Sequence, residues 1–250
     1  DLVRDLVRSP LDFLMITGEL FLSYKGPGSD LEILDLVKTL TPTPASTVLT
    51  AVVRGCQALG LRRIVMASPF PEDQDERLVK FLAHYGIDVV AFRGLGCPNA
   101  DVIWELAPET GYELATALLR EHPDVDGIYL PCNKWRTVSV IERIEKDHGK
   151  PVVTNTQAWV WDALRLMSMR DPIPGYGRLL SEFKYDGSTE RCQDLAGEEL
   201  QHLRVTRERG VNELDLEVRH AGVAVGFNPA PNLFRRADQT HFRQLFDTHE

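Results

Sequence analysis

Two hydrophobic rhythms alternate along the first 170 residues. Short apolar runs are bounded by glycine, proline or charged residues: LDFLMIT from Leu11 to Thr17, RIVMAS from Arg63 to Ser68, IDVVAF from Ile87 to Phe92, GIYLP from Gly127 to Pro131, and the pair Val152 and Val153. Runs of this length suit buried strands. Between them apolar positions recur at helical spacing over Ser29 to Leu40, Thr47 to Leu59, Glu72 to Tyr85, Pro108 to His122, Thr137 to His148 and Gln157 to Met169. The punctuation agrees. Ser29 or Asp30 can cap a helix, Pro42 and Pro44 interrupt one, Gly60 and Gly86 end two others, and acidic residues fill the turn after Pro71, where they suit the helix dipole.

Strand and helix in alternation predict an α/β fold with a mainly parallel sheet. In such sheets ligands bind beyond the carboxyl ends of the strands. The informative segments are therefore Thr17 to Leu20, Ser68 to Pro71, Cys132 to Thr137 and Thr154 to Gln157. A faint repeat draws attention to the same places. DFLMITGE from Asp12 resembles DGIYLPCN from Asp126, which sets Gly18 against Cys132 and Glu19 against Asn133. STVLTAVVRGCQALG from Ser46 loosely resembles NTQAWVWDALRLM from Asn155. A duplicated half and a chance likeness between two strand-turn-helix units weigh about equally on these residues alone.

After Met169 the pattern changes. Asp171 to Gly177 reads DPIPGYG, a turn-rich stretch, and the chain is polar from about Ser181. Leu214 to Phe227 suggests two strands and Phe234 to Phe246 a terminal helix. The expected organisation is an α/β domain over residues 1–180 and a small C-terminal extension, residues 181–250, whose chemistry is not legible.

Composition narrows the function. A net charge of -9 argues against a general nucleic-acid binder, which would carry a basic face, but leaves room for an acidic substrate held by local donors. No apolar run is long enough for a membrane helix, and no secretory pattern opens the chain. The cysteines, Cys56, Cys97, Cys132 and Cys192, are spaced widely and irregularly. Neither a zinc site nor a disulfide framework is expected, and free thiols fit a reducing cytoplasm. The phosphate-binding and dinucleotide-binding glycine motifs are absent, as is the G-x-S-x-G elbow of α/β-hydrolases.

Cys132 is the main catalytic candidate, since it follows a strand and opens a loop at the mouth of the sheet. A thiol there can exchange a proton at an activated carbon or attack a double bond. Its pKa would need lowering by amide donors, such as those of a helix beginning at Thr137, or by a cation such as Arg136, which could instead hold a substrate carboxylate. The competing reading is a small buried apolar cysteine. Glu19, after Gly18, could act as general acid or base; a solvent-facing or capping glutamate is the plainer reading. Thr47, Thr50, Thr154, Asn155 and Thr156 could donate to a substrate carboxylate, although hydroxyls at helix starts are more often caps. Cys56, Cys97 and Cys192 read as structural, and His84, His122 and His148 as solvent-facing.

Several segments together resemble the aspartate/glutamate racemase superfamily, in its arylmalonate decarboxylase and maleate isomerase branch. They are the stretch from Ser46 to Val90, the cysteine loop DGIYLPCNKWRT, KPVVTNTQAWVWDALRL, and PGYGRL from Pro174 to Leu179. The last is similar to the closing segment of arylmalonate decarboxylases, and the likeness covers about residues 5–180. It implies two pseudo-symmetric α/β halves with a cofactor-free site between them. The family's opening strand and loop are not found here, and the chain begins in the helix that would follow. The family's second cysteine falls on Cys132 and its first on Gly18, a pattern that resembles arylmalonate decarboxylases. Glu19 and Leu20 stand where the family places hydroxyl residues that bind a carboxylate, Phe70 stands where a Tyr is expected, and Asn133 where a Gly is expected; all line the implied substrate site. The implied function is a cysteine-dependent decarboxylase of a small carboxylic acid, working through an enolate-like intermediate held near Gly18 and Asn133. The alternatives are an isomerase or racemase with Glu19 opposite Cys132, and a non-catalytic descendant that binds a small acid or a protein.

Overall fold

The structure, a computed structural model, describes residues 3–4, 11–169, 171–182 and 224–227. Strand β1 (Phe13–Ile16) is followed by helices α1 (Glu19–Lys25) and α2 (Ser29–Leu40), strand β2 (Ala45–Thr47) and helix α3 (Val48–Ala58). Then come β3 (Arg63–Ser68), α4 (Glu72–His84), β4 (Asp88–Gly94), α5 (Ala100–Trp104), α6 (Pro108–Glu121) and β5 (Gly127–Leu130). A 3-10 turn at Val138–Val140 leads into α7 (Ile141–His148), and β6 (Val152–Thr154), α8 (Asn155–Leu166) and α9 (Arg178–Glu182) follow. Strand β7 (Ala224–Phe227) is the last described element.

The strands form two sheets, one ordered β2-β1-β7 and the other β4-β3-β5-β6. All pairings are parallel except that of β7 with β1. Apolar runs without alternation fit this arrangement, because helices cover both faces of a parallel strand. All of β5 is buried, and only Arg63 of β3 is exposed.

The two sheets repeat one another. β1 pairs with β2 so that Ile16 faces Thr47, and β5 pairs with β6 so that Leu130 faces Thr154. The sequence overlay sets Ile16 against Leu130 as the register does, but it sets Thr47 against Thr156, two residues beyond its structural counterpart Thr154. Beyond each pair the chain turns through a left-handed residue, Gly18 at φ 113° and Cys132 at φ 80°. Thr47 then caps α3 by accepting from the Thr50 N–H, and Thr154 caps α8 by accepting from the Gln157 N–H. Register, backbone sign and cap all repeat, which decides for two equivalent halves over a chance likeness. In the second sheet β3 lies beside β5; in the first, β7 takes the corresponding place beside β1.

Helices α3 and α8, one from each half, pack together. Gly55 allows the approach: a Cβ there would lie 3.1 Å from Leu179 and 3.8 Å from Ala158. A buried ion triad crosses this contact. Asp162 accepts from Arg54 at 3.0 Å and from Arg165 at 2.8 Å.

The structure corrects the sequence reading in several places. Helix α1, which starts at Glu19 directly after the turn at Gly18, was not anticipated. β2 and α5 were not anticipated; three and five residues are too few to establish a period. The helix expected from Thr137 starts as the 3-10 turn and becomes α-helical at Ile141. His148 is half-buried, with Nε2 3.1 Å from the Thr116 hydroxyl, while His84 is exposed. Of the strands read between Leu214 and Phe227, β7 is described. The remainder, with the helix read at Phe234 to Phe246, lies outside the described residues.

Candidate active site

The carboxyl ends of β1, β3, β5 and β6 bring most of the candidate residues into one buried neighbourhood. Gly18 follows β1 with φ 113° and ψ 59°, and its carbonyl accepts from the Leu22 N–H at 3.1 Å to start α1. A side chain is strained in that conformation, so glycine suits it. The turn throws Glu19 inward. Glu19 is 8% exposed although it stands in the first turn of a helix. Burial pushes its pKa up, with a hydrogen bond from its own backbone opposing the shift.

Cys132 also lies in the left-handed region and is 8% exposed. Its thiol is pushed up to about 12, first by burial and then by the charge of Glu19, against the backbone N–H groups of Lys134 and Trp135. Two sequence expectations are thereby corrected. The Thr137 N–H does not serve the thiol, because it donates to the Trp135 carbonyl at 2.7 Å. Nor is the thiol activated as an anion. Burial favours the neutral thiol, the form that can give a proton to carbon.

Glu19 and Cys132 are in electrostatic reach of each other, and both raise the Tyr129 phenol. Tyr129 is wholly buried in mid-strand and donates to Asn155 Oδ1 at 2.6 Å. It was not anticipated, because a tyrosine inside an apolar strand reads as core. Asn155 is itself wholly buried, and its Nδ2 has no hydrogen-bond partner; nor has the buried Oδ1 of Asn133. Orphaned polar atoms of this kind call for an explanation, and a ligand is one.

The hydroxyl candidates divide. Thr50 donates to Asp30 at 2.7 Å, so the 2.8 Å contact between Thr47 and Thr50 leaves Thr47 as the donor. Thr47 is then engaged as both acceptor and donor. Thr154 belongs to a capping box with Gln157. Phe70 is 2% exposed, and its N–H donates to the Ser68 hydroxyl at 3.0 Å. Ser68 in turn donates to buried Asp75 at 2.5 Å, a pair the sequence reading missed. Leu20 is half-buried and lines a cavity of about 280 Å³ with Phe21, Ser23, Tyr24, Gln74 and Arg77. Arg136 and Lys134 are exposed, so Arg136 is not held inside the site.

Cys56 and Cys97 are buried free thiols with raised pKa values, in keeping with structural roles. Among the described residues no group of three or more His, Cys, Asp or Glu side chains could hold a metal ion. No described helix is long and apolar enough to cross a membrane.

The family model for arylmalonate decarboxylase matches residues 2–180. The chain belongs to the arylmalonate decarboxylase family. It is 32% identical to the arylmalonate decarboxylase of Bordetella bronchiseptica over 73% of this chain and 76% of the relative. A maleate isomerase of Nocardia farcinica is 24% identical over 63% of this chain and 64% of its own length. Among solved structures, a liganded double mutant of arylmalonate decarboxylase, glycine changed to cysteine and cysteine to serine, superposes with a TM-score of 0.69. That match has 30% identity over 72% of this chain and 77% of the other. A Nocardia farcinica maleate isomerase with a covalently bound succinylcysteine intermediate shares the fold at a TM-score of 0.67, with 21% identity over 72% and 75% of the two chains. These arylmalonate decarboxylase relatives, with the maleate isomerases beside them, bear out the superfamily branch and α/β fold that the sequence resemblance implied. The relatives are enzymes, a lyase and isomerases.

Proposed function

We propose that this member of the arylmalonate decarboxylase family is a cofactor-independent decarboxylase of a small carboxylic acid, with Cys132 as proton donor. The observation that carries the reading is the equivalence of Gly18 and Cys132. The two halves end their strands in the same left-handed turn, and one turn carries a buried thiol. The solved arylmalonate decarboxylase variant was altered at one glycine and one cysteine, so the unaltered relative carries those same two residue types. In the reaction, the bond between the α-carbon and its carboxylate breaks and CO2 leaves with the electron pair retained as an enolate. The thiol proton passes to the α-carbon, and the thiolate regains a proton from solvent. Amide groups near Gly18 and Asn133 stabilise the enolate oxygen. Leu20, Phe70, Thr154 and Asn155 shape the substrate's surroundings, and the α/β domain of residues 1–180 carries the chemistry beside the extension. Free thiols at Cys56, Cys97 and Cys132 support a cytoplasmic location.

The test is proton NMR in D2O with a panel of arylmalonates, maleate and α-substituted carboxylates. Cys132→Ala should fold normally and lose about a hundred- to ten-thousand-fold in rate, the usual contribution of a general acid. A fully active Cys132→Ala would end this reading. A second reading, an isomerase with Glu19 as the opposite acid–base group, is favoured by the electrostatic contact between Glu19 and Cys132. It requires that Glu19→Gln abolish proton exchange at the substrate carbon.

A further inference from the structure

The two halves agree in register, turn and cap, so a buried position in one has a counterpart in the other. Ile16 matches Leu130 and Thr47 matches Thr154. One step back along the strands Met15 matches Tyr129, and one step beyond the caps Val48 matches Asn155. In the first half both places are apolar and buried, Met15 at 3% and Val48 at 0% exposure. In the second half they hold a phenol and a carboxamide, both wholly buried and joined by the bond of 2.6 Å from the Tyr129 O–H to Asn155 Oδ1. The fold therefore does not need a polar pair here. The pair is also unfavourable as it stands, because Asn155 Nδ2 is buried with no hydrogen-bond partner among the described residues.

The orphaned donor lies at the ligand-binding edge of the sheet. Asn155 is the first residue of α8, a twelve-residue helix whose N-terminal end favours an anion. Leu130 and Thr154 are paired on adjacent strands, so Asn155 lies one residue and Cys132 two residues beyond the same rung, where neighbouring strands are about 4.8 Å apart. Tyr129, which holds the amide by its oxygen, feels the charge of Cys132 and of Glu19. The hydroxyls at the start of α3 are engaged within the protein, that of Thr47 with Thr50 and that of Thr50 with Asp30.

We infer, on the decarboxylase reading above, that Asn155 donates from Nδ2 to an oxygen of the carboxylate that the substrate retains, and that Tyr129 is the positioning residue that holds Oδ1 so that Nδ2 is presented to it. The substrate class is then a diacid that loses one carboxylate and keeps the other. When CO2 leaves, the electron pair of the broken bond moves onto the retained carboxylate. A donor already aimed at that oxygen gains strength as the charge grows, and the N-terminus of α8 acts in the same sense. The matching place in the first half is Val48, which has no side-chain donor. The second half thus supplies both the thiol and the carboxylate donor, and the two halves are not interchangeable.

The experiment replaces the pair by apolar groups of the same shape. Asn155→Leu, Tyr129→Phe and the double variant Tyr129→Phe/Asn155→Leu are compared with the full wild-type chain for urea midpoint and for CO2 release from phenylmalonate. Binding of phenylmalonate is measured by calorimetry, with each change also placed in a Cys132→Ala background. The double variant should keep the wild-type urea midpoint or exceed it, because it removes a buried donor that lacks a partner. Its kcat should fall about a hundred- to thousand-fold, the usual effect of losing one donor to a developing oxyanion. Affinity in the Cys132→Ala background should fall about tenfold, as for one lost hydrogen bond. Tyr129→Phe loosens the donor without removing it and should lower kcat more than it changes KM. A double variant with wild-type turnover, or one that is destabilised while its folded fraction binds phenylmalonate as wild type does, marks the pair as structural. Either result overturns the inference and leaves the decarboxylase reading to the Cys132→Ala comparison. If wild type releases no CO2, that reading falls and binding decides the inference: affinity weakened in Asn155→Leu upholds the donor, whereas unchanged affinity, or no binding to wild type, overturns it.

Discussion

Asp75 has no exposed surface, and it braces the turn that carries Phe70. It accepts from Ser68, which also accepts from the Phe70 N–H. Its other oxygen has no partner, and a Cβ on Gly94 would lie 2.5 Å from it, so glycine is needed on the facing strand. Burial pushes this carboxyl up to about 7, with the Ser68 hydrogen bond opposing and Asp73 and Glu72 adding to the rise. The folded value therefore lies above the unfolded one of about 3.9, and the fold favours the neutral acid. The stability this contributes is complete below the unfolded value and is lost as pH rises through about 7. Asp75→Asn keeps the shape and cannot ionise. Its urea midpoint should match wild type near pH 4 and exceed it near pH 8; parallel pH profiles for the two proteins would contradict the assignment. Little in the chain's pattern warned of this residue, because an aspartate in the first turn of a helix reads as a surface partner of the dipole. Position after a strand is enough to nominate Cys132 and Glu19, and the structure buries both. The state of the thiol was not legible. Whether amides or buried acids surround a sulfur depends on residues far apart in the chain.

At the scale of elements, the closing segment shows how a short run can matter more than its length suggests. Glu145 on α7 accepts from the N–H groups of Val152 and Arg178, and Gln157 on α8 donates to the Tyr176 carbonyl at 2.6 Å. The turn is thus tied to β6, α7 and α8. Gly177 makes the fit possible. It has φ 83°, and a Cβ there would meet Ile141 at 2.3 Å and Gln157 Nε2 at 2.7 Å. Gly177→Ala should destabilise by about 2–4 kcal/mol, combining left-handed strain with overpacking, as read from a urea titration. A loss within a few tenths would mean that the turn can move aside. The long elements here were readable from periodicity: β3, α4, α6 and β5 fall within two residues of their expected bounds. β2 was not, because AST between a proline and a helix start has neither length nor alternation. Only its pairing with β1 makes it a strand.

Across the whole molecule, the two halves are joined through α3 and α8, and the joint contains charge. Two guanidiniums share the Asp162 carboxylate, whose side chain has no exposed surface. Removing one partner of such a group leaves the others uncompensated, so Asp162→Ala should cost about 3–5 kcal/mol. Calorimetry should show the loss, and a Tm unchanged from wild type would mean that both arginines find water. The faint likeness between Asp12–Glu19 and Asp126–Asn133 was the sequence's hint of two halves. It could not decide the matter, because two strand-turn-helix units look alike by composition; the matched register Ile16 to Thr47 and Leu130 to Thr154 does.

The left-handed turn at Cys132 has a consequence for how such chains age. At position 18 glycine occupies the conformation freely, whereas cysteine at 132 sits in it at φ 80°, against a backbone preference of about 1–2 kcal/mol. A cysteine codon becomes a glycine codon by a single base change. In a lineage where turnover no longer matters, that change brings relief from strain and meets no opposing selection. Sister genes that have given up chemistry should therefore drift to glycine at both places, and a working copy can be told from a retired one by reading one codon.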